Sequence, residues 1–375
     1  MMSEDQVGAK PRRHAPNTSG NTHLITHQFP AWIEANGPAD DVVISTRARL
    51  ARNLKGIPFP NRAADADLKR AMDSILHALH SGEGQFGKLK TIRPNHLTEA
   101  ERRALVDNRI MSRHHAQGGS YRPVVVNDSG TLSVMVNEED HLRIQCILPG
   151  LQFAQALEAV QNVDNFLGAH MGYAHTEEYG YLTASPANVG TGLRMSALLH
   201  LAGLTYFDEV LPVLSAAVEL KTSVRGLFGE GTKAYGEVFQ VSNETTRGFS
   251  ESEIMSRVRT LAEHLVSRER EARHKLAVER QAELGKEIQE VRAQVMGAHA
   301  LSVREAMEYL SILRLGSAIG LGSVTPRLFN ELLVAMRLGD AAVGAENLST
   351  DMRRARLMQE KIVEHSEAIQ LTFLE

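Results

Sequence analysis

The chain contains a single cysteine, Cys146, and no long uninterrupted run of apolar residues. One cysteine excludes an internal disulfide and a cysteine-rich zinc cage. No stretch approaches the roughly 18 apolar residues that a membrane-spanning helix requires. The first residues, MMSEDQVGAKPRRHAPNTSGNTH, are polar and lack the apolar centre of a secretory signal. We therefore expect a soluble cytoplasmic protein.

The sequence also lacks a large excess of either charge. Its 41 basic and 45 acidic residues give a formal net charge of −4 over 375 residues. A positive surface must therefore be local, and bulk binding of nucleic acid is not indicated. With 43% hydrophobic residues, the chain can bury a large core in one large domain and a smaller one, or in two medium domains.

Several common catalytic motifs are absent as well. No HExxH zinc motif and no GxSxG nucleophile elbow occurs. GLFGEGTK, residues 226–233, resembles a phosphate-binding loop at first sight. A Walker A loop, however, requires Lys followed by Ser or Thr, and here Thr232 precedes Lys233. This segment is therefore not predicted to be a Walker A loop.

Composition divides the chain into three regions. Residues 1–27 are rich in Ser, Asn, Pro, Gly and charge, which is typical of a flexible tail. Residues 28–248 mix strand patterns, helix patterns and glycine turns, and are predicted to form one domain. Residues 249–375 are predicted to form a helical C-terminal domain.

Hydrophobic periodicity predicts the elements of the middle region. TLSVMV and LRIQCIL alternate apolar and polar residues, which predicts two strands, and EVFQVSN predicts another. LQFAQALEAVQNVDNFL and MSALLHLAGL have the pattern of amphipathic helices. Because the elements do not repeat in βαβ order, we expect an α+β fold with a mainly antiparallel sheet flanked by helices.

The C-terminal region shows helix signals. Ser250 with Glu253, and Ser302 with Glu305, form capping-box patterns. The segment from residue 257 to residue 296 has the charge of a long, solvated helix, and DMRRARLMQEKIVEHSEAIQ predicts a further helix. We therefore expect this region to be entirely helical.

Charged residues gather at NEEDHLR, residues 137–143, where three consecutive acids lie between two predicted strands. Adjacent like charges cost free energy unless cations offset them. Arginines beside glycine or small residues occur in STRAR, NEEDHLR, NVGTGLR and VRGLFGE: Arg47, Arg49, Arg143, Arg194 and Arg225. Each alone is typical of a protein surface. Together they predict a polyphosphate clamp, because the guanidinium fork matches phosphate oxygens.

Four segments carry a family resemblance: DVVISTRARLARNL, VNEEDHLRIQC, YLTASPANVGTGLRMS and RGLFGEGTKAYGEVFQVSN, in that order. Together they closely resemble the catalytic domain of the ATP:guanido phosphotransferase (phosphagen kinase) family. The resemblance extends from about residue 32 to residue 243. It implies an antiparallel sheet with surrounding helices. It also implies transfer of the γ-phosphoryl group of ATP, with Mg²⁺, to a guanidinium nitrogen.

Within the family, the chain resembles the bacterial protein-arginine kinases. Small-molecule phosphagen kinases place a helical domain before the STRAR-like motif, whereas 44 residues precede Ser45 here. In RGLFGE this chain has Phe228 where the small-molecule enzymes, with a sequence like RGTRGE, carry a second arginine. The protein-arginine kinases have an aromatic residue at this position.

This branch implies a role in stress response and protein quality control. The implied partners are arginine-bearing protein substrates and, in addition, a heat-shock repressor, an activator protein and the Clp unfoldase and protease. No direct nucleic-acid or membrane partner is implied, and a homodimer is a candidate assembly.

The resemblance also assigns site residues. Glu139 and Glu230 would grip the substrate guanidinium, with Glu139 as the base and Ser185 in the position of a family cysteine. No residue is predicted to bind a metal directly. The implied ATP site comprises Ser45, Thr46, Arg47, Ala48, Arg49, Arg143, Arg194, Met195, Ser196, Ala197, Leu198, Arg225, Gly226, Leu227, Phe228 and Gly229. Independently of the resemblance, Glu138 and Asp140 are expected to have a local salt-bridge or turn role, and His141 a role in packing or in supporting the residues of the site.

Two departures leave an alternative function open. LTASP replaces the usual LTACP, so a neutral Ser185 stands where a thiolate would supply charge. Arg109 lies near the position where the family tends to carry a histidine that faces the nucleotide. The alternative is a catalytically weak regulator that binds phosphoarginine. A kinase for small guanidines is disfavoured by the missing N-terminal domain.

TDMRRA, residues 350–355, resembles the R-D-x-x-R-A motif of protein-arginine kinases. The resemblance implies that Asp351, Arg354 and Ala355 bind phosphoarginine, although Thr350 replaces the first arginine. The same residues also fit an ordinary helix N-terminus, with Thr350 or Ser349 as the cap.

Overall fold

The computed structural model describes residues 30–210, 212, 216–227, 234–336 and 349–372. The predicted tail, residues 1–27, lies outside the described residues. The strands are β1 Val43–Arg52, β2 Leu89–Ile92, β3 Val124–Asn127, β4 Leu132–Val136, β5 Leu142–Pro149, β6 His175–Thr176, β7 Gly180–Tyr181, β8 Leu193–His200, β9 Thr222–Gly226 and β10 Val238–Asn243.

The α-helices follow in chain order. They are α1 Asp65–Ser81, α2 Glu83–Phe86, α3 Glu99–Asp107, α4 Arg113–Ala116, α5 Phe153–Met171, α6 Ala202–Tyr206, α7 Ala216–Glu219, α8 Glu251–Glu279, α9 Gln281–Gly297, α10 Val303–Ala318, α11 Pro326–Ala335 and α12 Thr350–Thr372. No helix in these ranges is long and apolar enough to cross a membrane.

The strands form one large antiparallel sheet of eight strands in the order β2-β3-β4-β5-β1-β8-β10-β9, and β6 and β7 form a separate hairpin. The predicted α+β fold with an antiparallel sheet flanked by helices is therefore confirmed.

One face of the sheet is covered by α1, α5 and α8. Successive side chains of a strand point to opposite faces, so Ala48 and Leu50 of β1 lie in the core beneath these helices. Apolar residues of all three helices fill the same core, for example Ile75, Val160 and Leu261. The alternate residues of β1, Arg47 and Arg49, point to the other face.

The other face packs on two smaller cores. The C-terminal helices α9 to α12 share a core with sheet residues that include Ile147, Leu198 and Val238. Helix α3 shares a third core with β2, β3 and β4, which includes Leu105 and Val124. These helices leave part of the arginine-bearing face uncovered, and the candidate site lies there.

Most predicted elements are confirmed. The segments around NEEDHLR are β4 and β5, EVFQVSN is β10, and LQFAQALEAVQNVDNFL forms α5. Both predicted capping boxes are present, at the first turns of α8 and α10.

The prediction of a helix at MSALLHLAGL is wrong, because Met195 to His200 belong to β8. This strand is central in the sheet and almost continuously buried. A strand buried on both faces has a continuous apolar run, which periodicity alone does not distinguish from a buried helix.

The charged segment 257–296 is not a single solvated helix, because α8 ends at Glu279 and α9 begins at Gln281. On α8, Glu269 is completely buried and accepts hydrogen bonds from the backbone N–H groups of Gly203 and Leu204, both at 2.9 Å. Arg273 donates its Nε–H to Glu269 at 2.6 Å. The predicted boundary at residue 249 stays a prediction, and the first part of α8 packs in the core of the sheet.

Candidate active site

The register of the central strands places the predicted arginines on one face of the sheet. Arg49 on β1 lies opposite Arg194 on β8 and opposite Gln145 on β5. Residues directly opposite each other in an antiparallel pair share a face. Arg143 is two residues before Gln145 and therefore points to the same side. Three strands that are distant in sequence thus bring together the arginines of three separate motifs.

These arginines repel one another. Burial lowers the pKa of Arg47 to about 9, and the charges of Arg109, Arg143 and Arg194 contribute to this shift. Burial also lowers the pKa of Arg49 well below its usual value, with Arg47, Arg143 and Arg194 contributing. With a pKa of about 9, Arg47 stays charged at pH 7. The face therefore has positive charge that the described residues do not neutralise, which is the electrostatic property of an anion site.

The polar contacts of the clamp are sparse. Arg47 donates from Nη2 to Oε1 of Gln240 at 3.5 Å, and its buried Nε has no hydrogen-bond partner among the described residues. Arg194 donates from Nη2 to the hydroxyl of Ser242 at 3.1 Å. Arg225 is exposed on β9, opposite Gln240. Burial lowers the pKa of Arg194, and the charge of Arg225 adds to the effect.

The three consecutive acids of the NEEDHLR turn have different surroundings. Glu138 is 3% exposed and forms an ion pair with Nη1 of Arg143 at 2.8 Å. It also accepts a hydrogen bond from the hydroxyl of Ser112. Burial works to raise the pKa of Glu138, but Arg143 and the Ser112 hydrogen bond outweigh it and lower the pKa. Glu138 therefore holds Arg143 in place.

Asp140 is also 3% exposed, and it joins the turn to two other segments. Its Oδ1 accepts the Nδ2–H of Asn53 at 2.6 Å and the backbone N–H of Ala184 at 2.7 Å. Burial raises its pKa to about 6, with the neighbouring Glu139 and Glu138 adding to the rise. Asp140 thus fixes the loop that carries Ser185 against the acidic turn.

The backbone of the turn is fixed by buried polar side chains. Asn137 has φ 54°, a left-handed conformation that asparagine tolerates. Its Nδ2 donates to the carbonyl oxygens of Leu68 at 2.9 Å and Tyr121 at 2.8 Å. His141 accepts the backbone N–H of Leu54 at Nδ1, and burial lowers its pKa to about 4, so the ring is neutral at pH 7.

The middle acid, Glu139, is exposed, in contrast to its two buried neighbours. It lies on the wall of a cleft of about 220 Å³. The cleft is lined by Arg49, Leu50, Ala51, Glu138, Glu139, Asp140, Arg143, Ser185, Ala187, Asn188, Gly192 and Arg194. A free carboxylate, a hydroxyl and three guanidinium groups therefore border one small cavity, which can hold a cation next to an anion.

Other residues predicted to bind ATP have different positions. Ala48, Met195 and Ala197 lie in the core on the opposite face, and Leu198 lies in the core shared with the C-terminal helices. Ser45, Thr46 and Ser196 are buried. Gly226 ends β9 and Leu227 follows it, whereas Phe228, Gly229 and Glu230 lie outside the described residues. The roles assigned to all these residues stay predictions.

Cys146 is a residue of β5, and its side chain lies in the core on the opposite face of the sheet from Gln145. Burial raises the pKa of its thiol to about 12. It therefore does not supply a thiolate to the cleft.

The predicted phosphoarginine site lies on α12. Arg354 donates to the carbonyl oxygens of Leu301 at 2.5 Å and Met336 at 3.1 Å, and to Oδ1 of Asp351 at 2.6 Å. Its side chain is 6% exposed, and Ala355 is 1% exposed. In this arrangement Arg354 joins the N-terminus of α12 to two neighbouring segments. Its role in phosphoarginine binding stays a prediction.

Two residues that contribute to the site geometry were not predicted. Gln145 donates from Nε2 to the backbone carbonyl of Arg109 at 2.6 Å, which fixes the segment after α3 on the arginine face. Asn53 bonds both Asp140 and the backbone N–H of His141. The period-two pattern that places Arg143 on this face also applies to Gln145. No comparable signal identified Asn53.

Comparison with known proteins identifies the family of this chain. Residues 70–272 match the family model of the ATP:guanido phosphotransferase C-terminal catalytic domain. The protein-arginine kinase of Moorella thermoacetica is 39% identical over 326 residues, which covers 86% of this chain and 93% of that protein. The protein-arginine kinase of Halothermothrix orenii is 36% identical over 344 residues, which covers 90% and 98%.

Solved structures show the same fold. The substrate-free duplicated taurocyamine kinase from Schistosoma mansoni matches with a TM-score of 0.53 and 24% identity, over 66% of this chain and 34% of that chain. Lombricine kinase matches with a TM-score of 0.51 and 23% identity, over 62% and 67%. The sheet, the sequence match and the extent of the similarity to curated relatives lead to one conclusion: the chain belongs to the ATP:guanido phosphotransferase family, in its protein-arginine kinase branch.

Proposed function

We propose that this chain transfers the γ-phosphoryl group of ATP to arginine side chains of proteins. The observation that supports this function best is the cleft in which an exposed Glu139 faces Arg49, Arg143 and Arg194. A carboxylate suits a guanidinium substrate, and clustered arginines suit a triphosphate. The relatives named protein-arginine kinase support the same substrate class.

ATP supplies the negative charge that the arginine face lacks. Arg47, Arg49, Arg143, Arg194 and Arg225 are proposed to hold its phosphates, and their charge stabilises the transition state. The described part of the chain contains no group of three or more His, Cys, Asp or Glu that could hold a metal ion. The proposal includes Mg²⁺, which would be held by the phosphate groups of ATP and would neutralise part of their charge.

The acceptor chemistry follows from the charge of a guanidinium group. Glu139 accepts hydrogen bonds from the substrate guanidinium and orients one nitrogen towards the γ-phosphorus. As the N–P bond forms, the bond from the γ-phosphorus to the bridging oxygen of ADP breaks, and Glu139 takes the proton that the nitrogen loses. The neutral hydroxyl of Ser185 contributes a hydrogen bond. Glu230 is proposed as the second carboxylate.

The biological setting is part of the proposal. We infer a cytoplasmic enzyme of stress response and protein quality control. The proposed partners are a heat-shock repressor, an activator protein and the Clp unfoldase and protease. The proposed assembly is a homodimer formed through the C-terminal helices. Membership of the protein-arginine kinase branch supports these assignments.

The direct test is mass spectrometry of an arginine-rich model protein after incubation with this chain and ATP-Mg. We expect acid-labile phosphate on arginine. Glu139→Gln should lower the rate by roughly 10²- to 10⁴-fold, because it removes the base. The fold should be unaffected, since Glu139 is exposed. Glu263→Gln on the exposed side of α8 is the matched control and should keep full activity.

Absence of arginine phosphorylation by the wild-type chain would contradict the proposed function. Full activity of Glu139→Gln would not contradict the proposed function, but it would show that Glu139 is not the base.

A further inference from the structure

A larger concavity lies beside the catalytic cleft, and the proposed function does not use it. It has a volume of about 630 Å³ and lies between the α3 to α4 segment and the first residue of α10, Val303. Its charged lining residues are Glu99, Arg102, Arg103, Asp107 and Arg113. We name this concavity the arginine groove.

The three arginines of the groove have no side-chain hydrogen bond or ion pair with any other described residue. Several exposed arginines of the C-terminal helices, by contrast, pair with a glutamate at i+4, as Arg259 does with Glu263 at 2.7 Å. Glu99 has the i+4 spacing to pair with Arg103, but the structure contains no such pair. The guanidinium groups are therefore available to an anion from outside the chain.

The segment of residues 109–113 connects the groove to the cleft, because Arg113 lines the groove and the preceding Ser112 contacts Glu138 of the cleft lining. Ser112 accepts the N–H of His115 at 3.0 Å at the start of α4, and its hydroxyl bonds Glu138 on the cleft wall. The carbonyl of Arg109 accepts Nε2 of Gln145 at 2.6 Å. A chain that enters the cleft is therefore adjacent to the groove.

We propose that the arginine groove binds an acidic segment of the protein substrate while a nearby arginine of the same substrate occupies the cleft. This inference rests on the proposed function. It specifies the preferred substrate as arginine flanked by aspartate or glutamate. Charge complementarity supports this occupant, since carboxylates pair with guanidinium groups in bidentate geometry.

A nucleic acid is a poorer occupant. Glu99 and Asp107 place two acids in the same lining, where they would face a phosphate backbone, and the whole chain carries a net charge of −4. An extended peptide can position its carboxylates beside Arg102, Arg103 and Arg113 and keep uncharged residues beside the acids.

The first experiment measures binding without catalysis. A fluorescein-labelled peptide rich in Glu and Asp, without arginine, is titrated with the full chain, and a Ser-substituted peptide is the neutral probe. Arg102→Glu/Arg103→Glu should weaken binding of the acidic peptide at least tenfold. Arg102→Gln/Arg103→Gln should weaken it less. Arg259→Glu/Arg356→Glu, which reverses two exposed arginines outside the groove, should change it less than twofold.

Equal binding of the acidic peptide by wild type and by Arg102→Glu/Arg103→Glu would overturn the proposal. So would duplex DNA that displaces the acidic peptide at lower concentration than unlabelled peptide does, since the groove would then favour nucleic acid.

The second experiment separates KM from kcat. Two peptides carry one arginine followed either by glutamates or by serines, and phosphorylation is followed with ATP-Mg. We expect a lower KM for the acidic peptide. Arg102→Glu/Arg103→Glu should raise that KM at least tenfold, with kcat and the KM of the neutral peptide unchanged. Equal KM values for both peptides in the wild type would overturn the inference.

If neither peptide is phosphorylated, the proposed function fails, and the binding experiment still decides whether the groove takes an acidic peptide.

Discussion

Two arginines of β1 test how pairing with an acid affects the stability of a buried charge. They have the same side chain, lie on the same strand and point to opposite faces of the sheet. Arg52 is completely buried and donates from Nε and Nη2 to Asp164 at 3.1 and 2.7 Å. Arg47 lies in the clamp, and its Nε has no hydrogen-bond partner among the described residues. We predict that replacing each by methionine changes the free energy of unfolding in opposite directions.

The magnitude for Arg47 follows from its pKa. Burial and the neighbouring arginines lower this pKa from 12.5 to about 9, a difference of 12.5 − 9 = 3.5. At about 1.4 kcal/mol for each pKa unit, the charge costs at most about 5 kcal/mol. The cost is fully present at pH 7 and disappears only as pH rises through 9 towards 12.5.

Arg47→Met should therefore stabilise the ligand-free chain by about 1–3 kcal/mol, less than the full cost because the Gln240 contact is lost. Arg52→Met should destabilise it by roughly 3–5 kcal/mol, because Asp164 is left buried without its cation.

The assay is urea unfolding at pH 7, with and without ATP-Mg. The wild-type chain should gain about 2.7 kcal/mol at an ATP concentration of 100 times Kd, and Arg47→Met should gain much less. Kinase activity of Arg47→Met should fall in parallel. A ligand-free Arg47→Met that is less stable than wild type would refute the reasoning, since the clamp arginines would then not be held against mutual repulsion.

Three further predictions concern single residues. Ser185→Cys should keep or raise the phosphorylation rate, and thiol-blocking reagents should leave wild type active because Cys146 is buried; inactivation traced to Cys146 would contradict this. Asp140→Asn should remove part of the pH dependence of stability. Because the pKa of Asp140 is raised from 3.8 to about 6, its contribution of about 3 kcal/mol is present below pH 3.8 and lost as pH rises through 6. Parallel urea-unfolding curves for wild type and Asp140→Asn across this range would refute the prediction. Calorimetry with free phosphoarginine should detect weak binding that Arg354→Ala abolishes, together with lower stability because Arg354 bonds two backbone carbonyls. Tight binding unaffected by this substitution would place the reader site elsewhere.

Local patterns predicted much of the fold. The strands on either side of NEEDHLR were recognisable because apolar residues recur at every second position, Leu132, Val134 and Val136 in one and Leu142, Ile144 and Cys146 in the other. The capping boxes at Ser250 and Ser302 were recognisable because a helix start depends on residues within one turn. Strand β8 was missed because the apolar run of residues 197–199 obscures the alternation of Arg194 and Ser196 with Met195 and Ala197, and such a run does not distinguish a buried strand from a helix.

The candidate site was predicted only as a set of residue types. The sequence contains three adjacent acids, and nothing in their order distinguishes the free carboxylate from the paired ones. The structure makes the distinction: Glu138 pairs with Arg143, Asp140 bonds Asn53 and Ala184, and Glu139 is exposed. The resemblance to a kinase family assigned to Glu139 the role of the base, and that role stays a prediction until activity is measured.

The sequence by itself determined which charged groups are available and which family the chain resembles, because these properties depend on residue identity and order. Only the tertiary structure decided which charges are neutralised. Arg52 forms an ion pair with Asp164, which lies 112 positions later in the chain, and is buried in the core. Arg47, five positions earlier on the same strand, is instead close enough to other arginines for their charges to lower its pKa. The difference arises from strand register and burial, which depend on contacts between distant segments and cannot be determined from local sequence.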